Sequence, residues 1–168
     1  VETYAQTASA RGAVIPPTYR DAGRIAGEIE AALEGPEHRP VPCHNDLLNA
    51  NMIHDGSRVR IVDWEYAGMG NRYFDLGNLS INNGFEEPDD ERLLAAYFGQ
   101  PCRPPRFACL RLMRIMSDFR EAMWGVVQTV VSKIEFDYPA YAARHFERLS
   151  ASATDSRYPA WLAAARAG

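Results

Sequence analysis

At 168 residues and 46% hydrophobic content, the chain is long enough for one domain with a substantial core. A formal net charge of −4 argues against a nucleic-acid-binding surface, and no apolar run approaches the roughly 18 residues that span a membrane. Cys43, Cys102 and Cys109 show neither CxxC nor metal-ligand spacing; with no signal peptide at the start, they point to a reducing, cytoplasmic setting.

Residues 1–17 are small, polar and irregular, end in Pro16-Pro17, and read as a linker. Thr18 opens a helix to about Leu33, with Ile25, Ile29 and Leu33 at four-residue spacing, and Gly35-Pro36 stops it. Val41-Pro42 leads into a loop, His44 to Asn51. Asn51 to His54 reads as a strand, Asp55-Gly56 as a hairpin turn, and Arg58 to Asp63 as a returning strand with Val59, Ile61 and Asp63 facing inward. Helices are expected over Asp75–Asn82, from Pro88 to Phe98 before Gly99, and from Pro104-Pro105 onward. The last of these puts Leu110, Met113, Ile115, Met116, Phe119, Met123 and Val127 mostly on one apolar face. Tyr138–Leu149 and Pro159–Ala165 close the chain as helices. The fold class is mainly α with a small β-hairpin at its active edge.

His44, Asp46 and Asn51 stand in the pattern H-x-D-x4-N, and Asp63 follows across the hairpin. Phosphoryl transfer needs such a set: one carboxylate to accept the proton of a substrate hydroxyl, and hard oxygen donors to hold magnesium against nucleotide phosphates. Asp46 suits the first task, and Asn51 and Asp63 the second. His44 belongs to the catalytic set as a brace of the loop. Glu65 stands two residues beyond Asp63, on the same side of an extended chain. Asp75, near a helix start, reads as a structural carboxylate bonded to backbone N–H groups of the loop.

The stretches VPCHNDLLNANMI and VRIVDWEYAGMGNRYFDLGNLS resemble the choline/ethanolamine kinase family, within the wider aminoglycoside-phosphotransferase and protein-kinase-like superfamily. A third block, Trp124-Gly125-Val126-Val127-Gln128 running on to Ser132-Lys133-Ile134-Glu135-Phe136-Asp137-Tyr138, is similar to that family's C-terminal substrate region. The resemblance covers roughly residues 40 to 150. It implies ATP as co-substrate, Mg²⁺ held by Asn51 and Asp63 with Glu65 beside them, and a substrate met by Asp46, Glu65, Tyr66 and Trp124. No G-x-G-x-x-G precedes residue 40, and the only lysine is Lys133. The chain is therefore expected to be the C-terminal lobe of a protein-kinase-like (α+β) fold without its N-terminal lobe. Residues 1–17 would be the linker from that lobe; 18–168 would be the helical lobe carrying the catalytic loop (44–51) and metal-binding strand (58–65). Such a lobe alone is expected to be inactive. The arginine and alanine bias suggests a GC-rich bacterial source.

A quaternary ammonium is recognised by aromatic faces and nearby negative charge. Trp124, Tyr66, Phe85, Tyr138 and Trp161 are the candidates, with Trp124 first. Where the family often carries another tryptophan, three residues before Trp124, this chain has Glu121, which leaves choline, ethanolamine or another amino alcohol open; a carboxylate there would suit a primary ammonium. His54 and His145 read as surface residues. The expected partners are a small amino alcohol and ATP, with no nucleic acid and no membrane insertion; homodimerisation stays open. Two alternatives stand beside this reading: an aminoglycoside or other sugar-hydroxyl kinase, and a non-catalytic ligand-binding lobe.

Overall fold

The computed structural model describes residues 1–35 and 38–167. In chain order these form α1 (Glu2–Ala10), α2 (Thr18–Ala32), β1 (Val41–Cys43), a 3₁₀ turn (Asn49–Asn51), β2 (Met52–His54), β3 (Val59–Ile61), β4 (Gly68–Gly70), α3 (Arg72–Asn82), α4 (Glu87–Phe98), α5 (Pro104–Val131), α6 (Tyr138–Ala153) and α7 (Tyr158–Arg166). The mainly helical class with a small antiparallel hairpin is what the structure has. The helix stop at Gly35-Pro36 lies partly outside the described residues. Among those described, no helix is long and apolar enough to cross a membrane.

Local chemistry explains the helix ends. Asn71 caps α3, its side chain accepting from the Tyr73 N–H at 3.0 Å, and Asp137 caps α6 through Ala140 at 2.9 Å. Pro88 sits in the first turn of α4, and Gly99 ends that helix in the left-handed conformation, φ 64°. Residues 2–10, expected to be irregular, form α1 instead. Small polar residues without Gly or Pro do not oppose a helix, and Ala8 is wholly buried.

The chain divides into two compact units, Val1–Glu30 with Ile115–Tyr158, and Ala31–Arg114 with Pro159–Gly168. α1 falls with the start of α2 in the first unit. In the first unit the α5 residues Ile115, Phe119, Ala122, Met123 and Val126 and the α6 residues Ala142, Phe146 and Leu149 are buried. Tyr19, Phe119 and Phe146 stack in sequence, with centroids 5.7 and 6.2 Å apart. Each fully buried large side chain contributes about 1.5–3 kcal/mol. Gly125 lets α6 approach: a Cβ there would lie 2.9 Å from the Tyr141 ring. The same face buries Asp118, which accepts from Arg148 Nε at 2.8 Å and bonds His145 Nδ1 at 2.8 Å. His145 is thus a buried residue, not a surface one; its partner lies on another helix, out of reach of sequence spacing.

In the second unit Leu94, Leu110 and Leu112 are wholly buried. Asp90, also buried, accepts from Ser80 Oγ, from Arg111 at 3.2 Å and from Arg114 at 2.9 Å. Trp161 is buried with the Arg111 guanidinium 5.1 Å from its ring, so it is a packing residue and not an open aromatic face. A Cβ on Gly77 would lie 2.8 Å from the α5 backbone at Met113 and Arg114.

Two antiparallel strand pairs shape the edge of this unit. β2 pairs with β3 (Met52↔Ile61, Ile53↔Arg60, His54↔Val59) and β1 with β4 (Val41↔Gly70, Pro42↔Met69, Cys43↔Gly68). The β2–β3 turn is organised by Asp55, whose carboxylate accepts from Ser57 Oγ and N, Arg58 N and Arg60 Nε. These bonds, the Ser57 hydroxyl foremost, hold its pKa down at about 2. The expected inward face of β3 is not inward: Val59 is 59% exposed and Ile61 42%, and Asp63 is exposed as well. Alternation shows which residues share a face, and a two-stranded ribbon need have neither face covered.

Candidate active site

The loop after β1 is held by three segments of the second unit. Asp75, half-buried in the first turn of α3, accepts the backbone N–H of His44 at 2.7 Å with one oxygen and that of Asn45 at 2.7 Å with the other. His44 is buried, and both of its ring nitrogens are engaged. Nε2 lies 2.9 Å from the Val62 carbonyl, which can only accept, so it carries the hydrogen. Nδ1 then accepts the Asp46 N–H at 3.2 Å. The imidazole also meets Trp64 edge-on, centroids 4.6 Å apart. A ring so occupied positions the loop and has no nitrogen left for proton transfer.

Asn45 adopts φ 64° and Asp63 φ 62°, the two left-handed residues other than glycine among those described. Asn and Asp bear this conformation better than other side chains. At Asn45 it lets the side-chain amide donate to the Tyr66 carbonyl at 3.1 Å. β4 can pass beside it because Gly70 has no Cβ; one there would sit 3.3 Å from Asn45 Oδ1. Cys43, next to the loop, is buried, and desolvation, then the nearby Asp75 charge, pushes its thiol up to about 11. It is an inert packing residue.

Asn51 joins the loop to the hairpin. Its Nδ2 faces two acceptors of Asp46, the carbonyl at 2.9 Å and carboxylate Oδ2 at 3.2 Å, which fixes the amide orientation and turns Oδ1 the other way. Its backbone carbonyl accepts from Val62 N at 3.0 Å, the residue before Asp63. Asp46, Asn51, His44 and Asp75 are thereby bonded together, and Asp63 follows directly on a residue bonded to Asn51. The stretch from Asp63 to Glu65 is not the extended chain expected. The left-handed Asp63 and a turn at Glu65 and Tyr66 break the extended alternation that would put both carboxylates on one side. Among the described residues no three His, Cys, Asp or Glu side chains cluster as metal ligands. An amide oxygen and an exposed carboxylate are hard donors that fit Mg²⁺, whose remaining positions water and phosphate commonly fill.

Trp124 lies in the first unit, within an aromatic cluster on α5, the loop after it, and α6. Its ring is 5.9 Å from Tyr138 and 5.7 Å from Tyr141; Phe136 lies 5.0 Å from Tyr138 and 6.0 Å from Tyr141. Tyr138 is buried, and its hydroxyl is 2.8 Å from Ser132 Oγ. Tyr141 escapes a reading of the sequence, and Phe136 enters it only as part of the third block, although the spacing of Phe136, Tyr138 and Tyr141 beside Pro139 signals one aromatic edge at a helix start. Glu121 is not the open carboxylate expected for an ammonium. It is buried and accepts from Arg120 at 2.7 Å and from the Tyr141 hydroxyl at 2.6 Å. Tyr66 lies in the second unit, exposed, and Phe85 there is half-buried.

Comparison with known proteins places this geometry. Residues 2–113 match the model of the phosphotransferase enzyme family. The chain is 32% identical over 126 residues to ethanolamine kinase 2 of Rattus norvegicus, covering 63% of this chain and 33% of the relative. It is 41% identical over 74 residues to a LicA homolog of Mycoplasma capricolum, covering 44% of this chain and 31% of that protein. Among solved structures, a choline/ethanolamine kinase family protein from Mesorhizobium loti superposes with a TM-score of 0.88 at 34% identity, covering 99% of this chain and 57% of that one. The chain thus spans about a third of the length of these curated relatives. With the family model matching most of its residues, the chain belongs to the phosphotransferase enzyme family, and its relatives include choline/ethanolamine kinases.

Proposed function

We propose that the full-length protein transfers the γ-phosphoryl group of ATP to the hydroxyl of a small amino alcohol, choline or ethanolamine. The observation that carries this reading is the Asn51 bridge, with its amide on Asp46 and its backbone on the residue before Asp63. In the proposed step Asp46 accepts the hydroxyl proton, the substrate oxygen bonds to the γ-phosphorus, and ADP leaves. His44 and Asp75 keep the loop in place, which is where positioning gains its rate. Asn51 and Asp63 would hold Mg²⁺, which supplies charge neutralisation to the phosphates when bound. Trp124 and its ring neighbours are assigned to the cationic end of the substrate.

The test is ATP-dependent phosphorylation by the full-length protein across choline, ethanolamine and a set of aminoglycosides. Turnover of an amino alcohol is expected. Turnover confined to aminoglycosides would transfer the assignment to the sugar-hydroxyl reading, and none at all would leave a binding lobe. If choline is the acceptor, Trp124→Ala should raise KM about thirtyfold with little change in kcat, since a cation–π contact grips ground and transition states alike. The 168-residue chain alone should give no turnover, for want of a Gly-rich loop and strand lysine over the phosphates.

A further inference from the structure

Asp63 is exposed, and among the described residues its side chain makes no hydrogen bond or ion pair. A carboxylate without a partner is aimed by its backbone, so whatever holds that backbone aims it. Upstream, Val62 is fixed twice. Its N–H donates to the Asn51 carbonyl at 3.0 Å, and its carbonyl accepts from His44 Nε2 at 2.9 Å. Downstream, the chain turns at Glu65 and Tyr66. There the Ala67 N–H donates to the Trp64 carbonyl at 3.0 Å, and Trp64 Nε1 donates to the Ile61 carbonyl at 3.1 Å. Both bonds are internal to residues 61–67. Asn45 reaches in from the catalytic loop: its Nδ2 donates to the Tyr66 carbonyl at 3.1 Å, three residues past Asp63. The Asn45 N–H is itself held by Asp75 Oδ1 at 2.7 Å. The amide lies against a bare stretch of β4, where a Cβ on Gly68 would sit 3.8 Å from Nδ2 and one on Gly70 3.3 Å from Oδ1. Asp63 holds φ 62°. A residue with a side chain stays in that region only where its surroundings fix it there.

We infer that Asn45 is a positioning residue for the metal-side carboxylate: its amide fixes the far end of the turn that presents Asp63. The inference rests on the proposed function, in which Asp63 holds Mg²⁺. Two neighbouring side chains of one loop grip both ends of this segment, His44 at the Val62 carbonyl and Asn45 at the Tyr66 carbonyl. The next residue of that loop, Asp46, is the base. The clamp therefore sets the base and the metal-side carboxylate in one frame, which is how positioning gains rate. Asn45 itself touches neither the proton nor the metal. Losing its amide leaves the loop backbone held by Asp75 and frees the turn, so that Asp63 samples directions in which it cannot take the ion.

The experiment compares the full-length wild type with Asn45→Gly and varies Mg²⁺ in two assays: turnover of the amino alcohol, and calorimetric binding of a non-hydrolysable ATP analogue. Glycine removes the amide and is at ease with the left-handed backbone. The Mg²⁺ concentration for half-maximal turnover should rise about fivefold, the worth of one hydrogen bond, and the Mg²⁺-dependent affinity for the analogue should fall by the same factor. Excess Mg²⁺ should restore kcat to within about twofold, and KM for the amino alcohol should stay within about twofold. Gly70→Ala presses on the same amide from β4 and should shift the Mg²⁺ dependence about twofold in the same direction; in the double variant, with no amide to press on, it should add nothing. An unchanged Mg²⁺ dependence in Asn45→Gly, or a loss of kcat that excess Mg²⁺ does not restore, overturns the inference and leaves the kinase reading in place. A wild type that turns over no amino alcohol overturns the functional reading, and the calorimetric comparison then decides this inference by itself.

Discussion

Carboxylates in the helical framework and carboxylates at the loop-and-hairpin edge are treated differently. Asp90, Asp118 and Glu121 sit on helices, buried, and each meets arginine: Arg111 and Arg114, Arg148, and Arg120. Asp75 is held by backbone N–H groups instead. Asp63 and Glu65 are exposed, and among the described residues neither side chain makes a hydrogen bond or ion pair. A carboxylate matched by a built-in guanidinium has its charge answered inside the fold, and removing one partner leaves the other uncompensated. A carboxylate left open at the end of a strand costs little, because water solvates it, and stays able to take up a cation brought with a ligand. The framework carboxylates should therefore govern stability, and the edge carboxylates activity.

The largest effect is expected at Asp63. Asp63→Ala in the full-length enzyme should remove turnover and weaken Mg²⁺-ATP binding together, while the melting temperature stays near wild type. Asn51→Ala should act in the same direction less severely on metal dependence. Unchanged magnesium dependence in both variants would break the assignment of the edge as the metal side. Asp46→Asn comes next: kcat should fall on the order of 10²-fold or more, with nucleotide affinity little altered. Retention of a third of the wild-type kcat would exclude Asp46 as the base.

Asp118→Asn tests the other half of the comparison. It removes the charge that answers Arg148 and disturbs the bond to His145, at a cost of about 3 kcal/mol, and Arg148 can recover part of this by turning its half-exposed guanidinium to water. A fall in Tm of roughly 6–12 °C is expected, with KM for ATP unchanged. A variant that melts like the wild type would show that the buried pair is neutral to stability.

The same contrast explains what can be read from the sequence. His44, Asp46, Asn51 and Asp63 form one short stretch, and phosphoryl transfer restricts their types, so the loop is legible as a chemical pattern. So are α2 to α7, whose caps and apolar spacing are local. Three features are not. β1 and β4 have three residues each, too few for a pattern, and their pairing depends on Gly70 passing Asn45. The stretch from Asp63 to Glu65 is not extended, because the left-handed Asp63 breaks the two-residue period that such spacing assumes. His145 with Asp118, and Tyr141 with Glu121, are 27 and 20 residues apart on separate helices. Only the approach of α6 to α5 brings them together, and the signal for that approach is a single glycine.

That glycine gives the smallest and most discriminating prediction. An Ala in the middle of a helix is ordinarily better than Gly by about 1 kcal/mol. At Gly27 in α2, where a Cβ would meet nothing within 4 Å, Gly27→Ala should raise Tm by roughly 2–4 °C. At Gly125 the added Cβ would lie 2.9 Å from Tyr141 Cδ1, 3.2 Å from Ala142 Cβ and 3.3 Å from Ala142 N. The ring can tilt, but the α6 backbone must move with Ala142, and overpacking of this kind costs about 1–3 kcal/mol. The propensity gain offsets part of that, so Gly125→Ala should lower Tm by roughly 2–4 °C where Gly27→Ala raises it. Opposite signs for one chemical change would show that α6 packs on α5 as closely as the Glu121–Tyr141 and Asp118–His145 bonds require. Stabilisation by both would mean that α6 can stand off from α5, and the framework carboxylates would then lose the rigidity that separates them from the edge.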